Sequence, residues 1–234
     1  MTKEIDTFFV VDFDRCLGNI EGSFEILKEI VHELGVVDRQ TFKSMREKIE
    51  STGETFNALE YIKSHHPYVN LDDIEKLYAE RAKLEPNSLL EPGSIDFINF
   101  LKNTNRNFCI MSFGDKGWQT IKIRSSGIGN VPTVVVPKSQ KSKYIRDWLD
   151  SSTNSFQIPG ECFSDRMPRR AKEVVLIDDK TVAFSGLPEG ARGYFVSGSS
   201  SKHTNNDTTK LPVSVKIISH VDEIIVYETD RSID

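Results

Sequence analysis

Two carboxylates one residue apart, Asp12 and Asp14, follow directly on the apolar run Phe8-Phe9-Val10-Val11. Carboxylates so placed can attack an electrophile, transfer a proton, or hold a hard cation through oxygen. A second acidic pair, Asp178-Asp179, ends the run Glu173-Val174-Val175-Leu176-Ile177, and a hydroxyl, Ser112, ends the run Asn107-Phe108-Cys109-Ile110-Met111. Four carboxylates gathered with no basic residue among them would repel one another, so a cation is expected beside them. Mg²⁺ is the natural candidate, because it takes one or two carboxylates together with the phosphate oxygens of a substrate.

The elements that must position these groups are strands. Short, continuous runs of Val, Phe and Ile read as strands buried on both faces, as in a parallel sheet. On a period of two, Asp12 and Asp14 start on the same side of the chain. In an open α/β sheet ligands bind beyond the carboxyl ends of the strands. All three polar ends then lie along one edge, although they are far apart in sequence. Thr133-Val134-Val135-Val136, Tyr194-Phe195-Val196 and Val215-Lys216-Ile217-Ile218 are further expected strands.

Between the first two runs the pattern is helical. Phe24, Leu27, Ile30, Val31 and Leu34 recur at helical spacing, with Gly35 as a C-terminal cap. A second helix is expected from Asp38, with Phe42, Met45 and Ile49 on one face and Gly53 beyond its end. A third carries Phe56, Leu59 and Ile62 and stops before His65-His66-Pro67, a surface turn. Asn70 caps a fourth, with Leu71, Ile74, Leu77, Tyr78 and Leu84 inward. The expected organisation is a discontinuous α/β core over residues 1–18 and 89–234, with an inserted all-helical unit over 19–88. In the core, helices are expected from Ser94, with Ile95, Ile98 and Leu101 on one face, from Gly114 to about Ser126, and around Tyr144 to Leu149. Residues 150–172 read as mostly loop, and the polar tract from Ser197 to Thr209 reads as a loop.

Composition narrows the function. The 234 residues carry a net charge of −5, with 38% hydrophobic and 28% charged residues, an ordinary soluble globular pattern. That charge supplies no basic face for nucleic acid or an anionic membrane. The opening MTKEIDTFF, with two acidic residues and no long apolar segment, is expected to be neither signal peptide nor anchor. The three cysteines, Cys16, Cys109 and Cys162, have no zinc-ligand spacing, and reduced thiols in a cytoplasmic protein are the expectation. Oligomeric state is not readable from the chain.

The ordered set FFVVDFDRCLG, FCIMSFG and VVLIDDK resembles the first, second and fourth motifs of the haloacid dehalogenase superfamily. The helical insertion after the first strand is similar to members that carry a helical cap, and LLEPGSIDFINFLKNTNRNFCIMSFG resembles the stretch leading from such a cap back to the core. The resemblance covers nearly the whole chain. It implies a Rossmann-like parallel sheet with a helical cap, and a Mg²⁺-dependent phosphatase acting on a small phosphorylated metabolite. Asp12 would be the nucleophile, forming an aspartyl-phosphate, and Asp14 the general acid and then base, its backbone carbonyl also reaching the metal. Asp12, Asp14 and Asp178 or Asp179 would hold Mg²⁺. Ser112 and a lysine would hold phosphoryl oxygens. That lysine lies in PKSQKSKYIRDWL, where Lys141 is preferred over Lys143 and Lys138 because it opens a helix with Ile145 four residues on. Relatives that cleave carbon–halogen bonds usually lack an acid at the place of Asp14, so its presence favours phosphate esters. The departures are Arg15 and Cys16, where the family often has Gly and Thr. A phosphomutase acting on a sugar phosphate, and a non-catalytic binding or regulatory protein on the same fold, are the competing readings.

Overall fold

In the computed structural model, residues 3–52, 56–85, 88–198 and 207–231 are described. In chain order the elements are β1 (Lys3–Val11), α1 (Ile20–Glu33), α2 (Arg39–Glu50), α3 (Ala58–His65), α4 (Leu71–Leu84), α5 (Ser94–Asn103), β2 (Asn107–Phe113), α6 (Lys116–Ser125), β3 (Thr133–Val136), α7 (Lys141–Trp148), β4 (Leu149–Asp150), β5 (Ser155–Ile158), β6 (Arg169–Asp178), β7 (Ala191–Val196), β8 (Val215–Ile218) and α8 (Glu223–Asp230). They divide into two units: Met1–Leu17 with Glu91–Ser112 and Asn130–Asp234, and Gly18–Leu90 with Phe113–Gly129.

The first unit is built on β1. Phe8, Phe9, Val10 and Val11 are fully buried, as continuous apolar character demands of a strand covered on both faces. β1 pairs in parallel with β2 on one side and β6 on the other, with Val11 level with Ile110 and Ile177. β3 lies beyond β2. On the far side of β6, β7 runs parallel to Val174–Asp178 and β8 runs parallel to β7. The sheet is α/β and mostly parallel, flanked by helices, with α5 packed on α8. The carboxyl ends of β1, β2 and β6 therefore share an edge.

The stretch 150–172, expected as mostly loop, contains β4, β5 and the start of β6. β5 pairs antiparallel with the first residues of β6, Phe156 opposite Ala171 and Ile158 opposite Arg169, and β4 pairs with β5. Phe156 and Ile158 are buried and Gln157 between them is exposed. That alternation spans only four residues, too short to register against the polar residues around it.

In the second unit, α1 to α4 and α6 share one apolar core. Phe24 stacks on Phe42 at 5.4 Å, Phe56 meets Phe42 edge-on at 5.4 Å, and Trp118 of α6 meets Tyr78 of α4 at 5.1 Å. The expected helix ends form: Asp38 and Asn70 accept backbone N–H groups and Gly35 takes φ +66°, and Asn19, not anticipated from the sequence, caps α1 in the same way. Gly53 and residues 199–206 of the polar tract lie outside the described residues. Three expected core residues are exposed instead: Leu34, Leu84 and Ile95. The buried face of α4 is Ile74, Tyr78 and Ala82, and Leu84 is rotated off it. In α5 the buried set is Ser94, Phe97, Ile98 and Leu101, so Phe97 takes the position expected of Ile95. Among the described residues no helix is long and apolar enough to cross a membrane.

Candidate active and metal site

Asp12 leaves β1 still bound to its neighbour, its N–H donating to Ile177 O at 2.9 Å. It is 4% exposed, and Asp178 and Asp179 at the end of β6 are each 1% exposed. Three buried carboxylates thus stand at adjoining strand ends.

α7 supplies the opposing charge. Lys141 opens the helix on the same side as Ser142 and Ile145, all three buried, and the Ser142 hydroxyl ties the helix down by donating to Ser185 O at 2.7 Å. Lys141 Nζ then lies 2.5 Å from Asp12 Oδ1 and 2.6 Å from Asp178 Oδ2. Lys138 and Lys143 are exposed. The other oxygen of Asp178 accepts the Lys180 N–H at 2.8 Å.

Electrostatics follow from burial. Desolvation raises the Asp12 carboxyl to about 6; Lys141 opposes the rise and Asp178 adds to it. Desolvation, then repulsion from Asp178 and Asp12, pushes Asp179 up to about 8. Burial alone would lower Lys141, but Asp12 and Asp178 outweigh it and hold the ammonium above its ordinary value. Two acids forced upward by burial and mutual repulsion mark a place where a further positive charge is favourable.

The chain after Asp12 doubles back. Cys16 N–H and Leu17 N–H both donate to Phe13 O, at 3.3 and 2.9 Å, and Arg15 takes the left-handed conformation with φ +63°. This turn returns Cys16 to Asp12: its Sγ and one carboxylate oxygen each of Asp12 and Asp179 lie within 4.8 Å of one another. These three donors form a group able to hold a metal ion. Asp178, engaged by Lys141, is outside that group, and so is the side chain of Asp14, which is partly exposed at the start of the turn. Cys16 had no place in the sequence-derived ligand set; only the turn geometry brings it there.

Ser112, near the end of β2, is 1% exposed, and its hydroxyl has no hydrogen-bond partner among the described residues. Arg15 Nε is likewise buried without one. A buried, unsatisfied hydroxyl beside a strand-end carboxylate is a ready donor to an anion.

No protein-family model matches the sequence, and a search of characterised proteins finds no match. Solved structures do match. A protein of Burkholderia xenovorans described as haloacid dehalogenase-like superposes with a TM-score of 0.61 at 16% identity, over 96% of this chain and 97% of that one. A HAD-hydrolase of Bacillus subtilis, YfnB, solved with magnesium, gives 0.52 at 14% identity over 95% and 98%. A protein of Thermotoga maritima described as a β-phosphoglucomutase gives 0.51 at 13% identity over 97% and 99%. At these identities the likeness is one of fold. The chain therefore has the fold of the haloacid dehalogenase-like hydrolases.

Proposed function

We propose that the protein is a Mg²⁺-dependent phosphatase that hydrolyses a small phosphorylated metabolite through an aspartyl-phosphate on Asp12. The observation that carries this reading is the strand-end carboxylate of Asp12, held 2.5 Å from Lys141 beside two further buried acids. With a pKa of about 6, Asp12 is ionised at neutral pH and available for attack.

In the first step an Asp12 carboxylate oxygen bonds to phosphorus while the bond to the leaving oxygen breaks. Asp14 gives that oxygen a proton. In the second, Asp14 takes a proton from water, whose oxygen attacks phosphorus and frees Asp12 and inorganic phosphate. Ser112 and Lys141 donate to the phosphoryl oxygens and stabilise the charge that builds there. The residues fit a divalent cation through their buried carboxylates: Asp12 and Asp179 would hold it, with the Asp14 carbonyl as a further donor, while Asp178 is engaged by Lys141. When bound, such an ion would neutralise the charge of the attacking carboxylate and of the phosphate.

The test is hydrolysis of an aryl phosphate with and without Mg²⁺, in wild type and in Asp12→Asn. Turnover that needs Mg²⁺ and falls at least about a thousandfold in the variant is expected; retained activity removes Asp12 from the mechanism. Incubation with a hexose 1-phosphate is expected to release phosphate, and an isomerised sugar phosphate in its place would make the protein a mutase.

A further inference from the structure

A sulfur atom stands among the oxygen ligands. Cys16 is 1% exposed, and the turn closed by Phe13 O holds its Sγ within 4.8 Å of carboxylate oxygens of both Asp12 and Asp179. For three atoms so spaced there is a point no more than about 2.8 Å from all of them. Metal–sulfur and metal–oxygen bonds of about 2.3 and 2.0–2.2 Å are thus within reach of side-chain adjustments of less than about an ångström. The surroundings favour a cation on separate grounds, since three carboxylates, Asp12, Asp178 and Asp179, are buried at adjoining strand ends.

We propose that Cys16 is a ligand of this metal centre, so that the site binds thiophilic divalent cations such as Co²⁺, Zn²⁺ or Cd²⁺ through a metal–thiolate bond that Mg²⁺ does not form. Thiolate is a soft donor that Mg²⁺ does not favour, whereas carboxylates serve both classes of ion. The sulfur–metal bond forms as the thiol releases its proton to solvent; nothing is oxidised or reduced. The inference rests on the reading of this edge as a divalent-metal site and deepens it, because it makes the identity of the ion depend on a residue outside the carboxylate set.

The experiment is titration of metal-free protein with Co²⁺, followed by absorption, beside calorimetric titration with Mg²⁺. Wild type is expected to show a near-ultraviolet thiolate-to-Co²⁺ charge-transfer band that saturates stoichiometrically. In Cys16→Ser and Cys16→Ala the band is expected to vanish and Co²⁺ affinity to fall at least about tenfold, with Mg²⁺ affinity changed less than about twofold. Cys109 and Cys162, both buried, remain in these variants as internal controls. X-ray absorption of the wild-type Zn²⁺ form, which needs no variant to fold, is expected to show a sulfur scatterer at about 2.3 Å. Binding of Mg²⁺ or Co²⁺ without band or scatterer overturns the role of Cys16 and leaves the phosphatase reading standing. A band that persists in both variants also overturns it, and failure to bind any of these ions overturns both.

Discussion

Lys141 Nζ donates to Asp178 Oδ2 at 2.6 Å, and the same ammonium lies 2.5 Å from Asp12 Oδ1. One buried cation on α7 thus joins the ends of two neighbouring parallel strands. Burial alone would strip its charge, and the two carboxylates keep it. Breaking a buried pair from one side leaves the other charge uncompensated, at a cost of about 3–5 kcal/mol. Lys141→Met is therefore expected to lower unfolding free energy by about that amount in chemical denaturation and to abolish phosphate ester hydrolysis. A variant as stable as wild type would show that the pair contributes nothing to the fold.

Asp178 and Asp179, adjacent in sequence, have different partners. Asp178 is engaged by Lys141 and the Lys180 N–H, whereas Asp179 shares the donor group of Asp12 and Cys16. Asp179→Asn is expected to weaken Mg²⁺ binding at least about tenfold, read by calorimetry, with stability of the metal-free protein unchanged or raised. Asp178→Asn is expected to lower stability while leaving most Mg²⁺ affinity. The reverse pattern would exchange the two roles.

Ser112 gives a separable signal. Its hydroxyl is buried with no hydrogen-bond partner among the described residues, so removing it relieves a desolvated group instead of breaking a bond. Ser112→Ala is expected to be as stable as wild type, or more so by up to about 1 kcal/mol, while inhibition by inorganic phosphate weakens about tenfold. A clear loss of stability would mean that the hydroxyl has a structural partner.

The raised acids set a pH dependence for the metal-free protein. Asp12 at about 6 and Asp179 at about 8 hold protons in the folded state that the unfolded chain, with carboxyls near 3.8, has already released. Stability from this pair is therefore full below about pH 4 and is lost as pH rises through about 6 and then about 8. Glu228, whose pKa is lowered, acts below that window. Denaturation of metal-free protein at pH 5 and pH 8 is expected to show the lower midpoint at pH 8, and Mg²⁺ should recover part of the difference. A higher midpoint at pH 8 without metal would contradict the assigned burial.

Elsewhere on the same sheet, Glu228 of α8 is 1% exposed and accepts from Tyr194 Oη at 2.7 Å, from Arg192 Nη2 at 3.0 Å and from Arg106 Nη1 at 3.2 Å. These contacts fasten α8 to the sheet. Glu228→Ala removes one carboxylate partner from each of two largely buried guanidinium groups, Arg192 keeping Glu173, and is expected to cost about 3 kcal/mol in denaturation. Because none of these residues belongs to the donor group of Asp12, Cys16 and Asp179, the folded variant is expected to keep its Mg²⁺ affinity; loss of that affinity would couple the two clusters.

The three apolar runs, their character as parallel strands, and hence the common edge reached by Asp12, Ser112 and Asp178-Asp179 are legible in the chain. Periodicity is a local property, and a fully buried strand writes it in consecutive residues. The helix starts at Asp38 and Asn70 were legible for the same reason, each being settled within one turn. Other features depend on what lies across space. Phe156 and Ile158 become a strand only because the start of β6 offers an open edge. Leu84 and Ile95 are exposed because neighbouring residues take the face that packs. Lys141 stands apart from Lys138 and Lys143 only once α7 is docked through Ser142 and Ile145. Asp178 and Asp179 look equivalent as a pair in the chain, and the tertiary structure separates them, since successive residues at a strand end point to opposite sides and only one meets the lysine. Cys16 shows the same limit most sharply: in the sequence it is a small thiol after two acids, and the turn that brings it against Asp12 and Asp179 exists only in the folded chain.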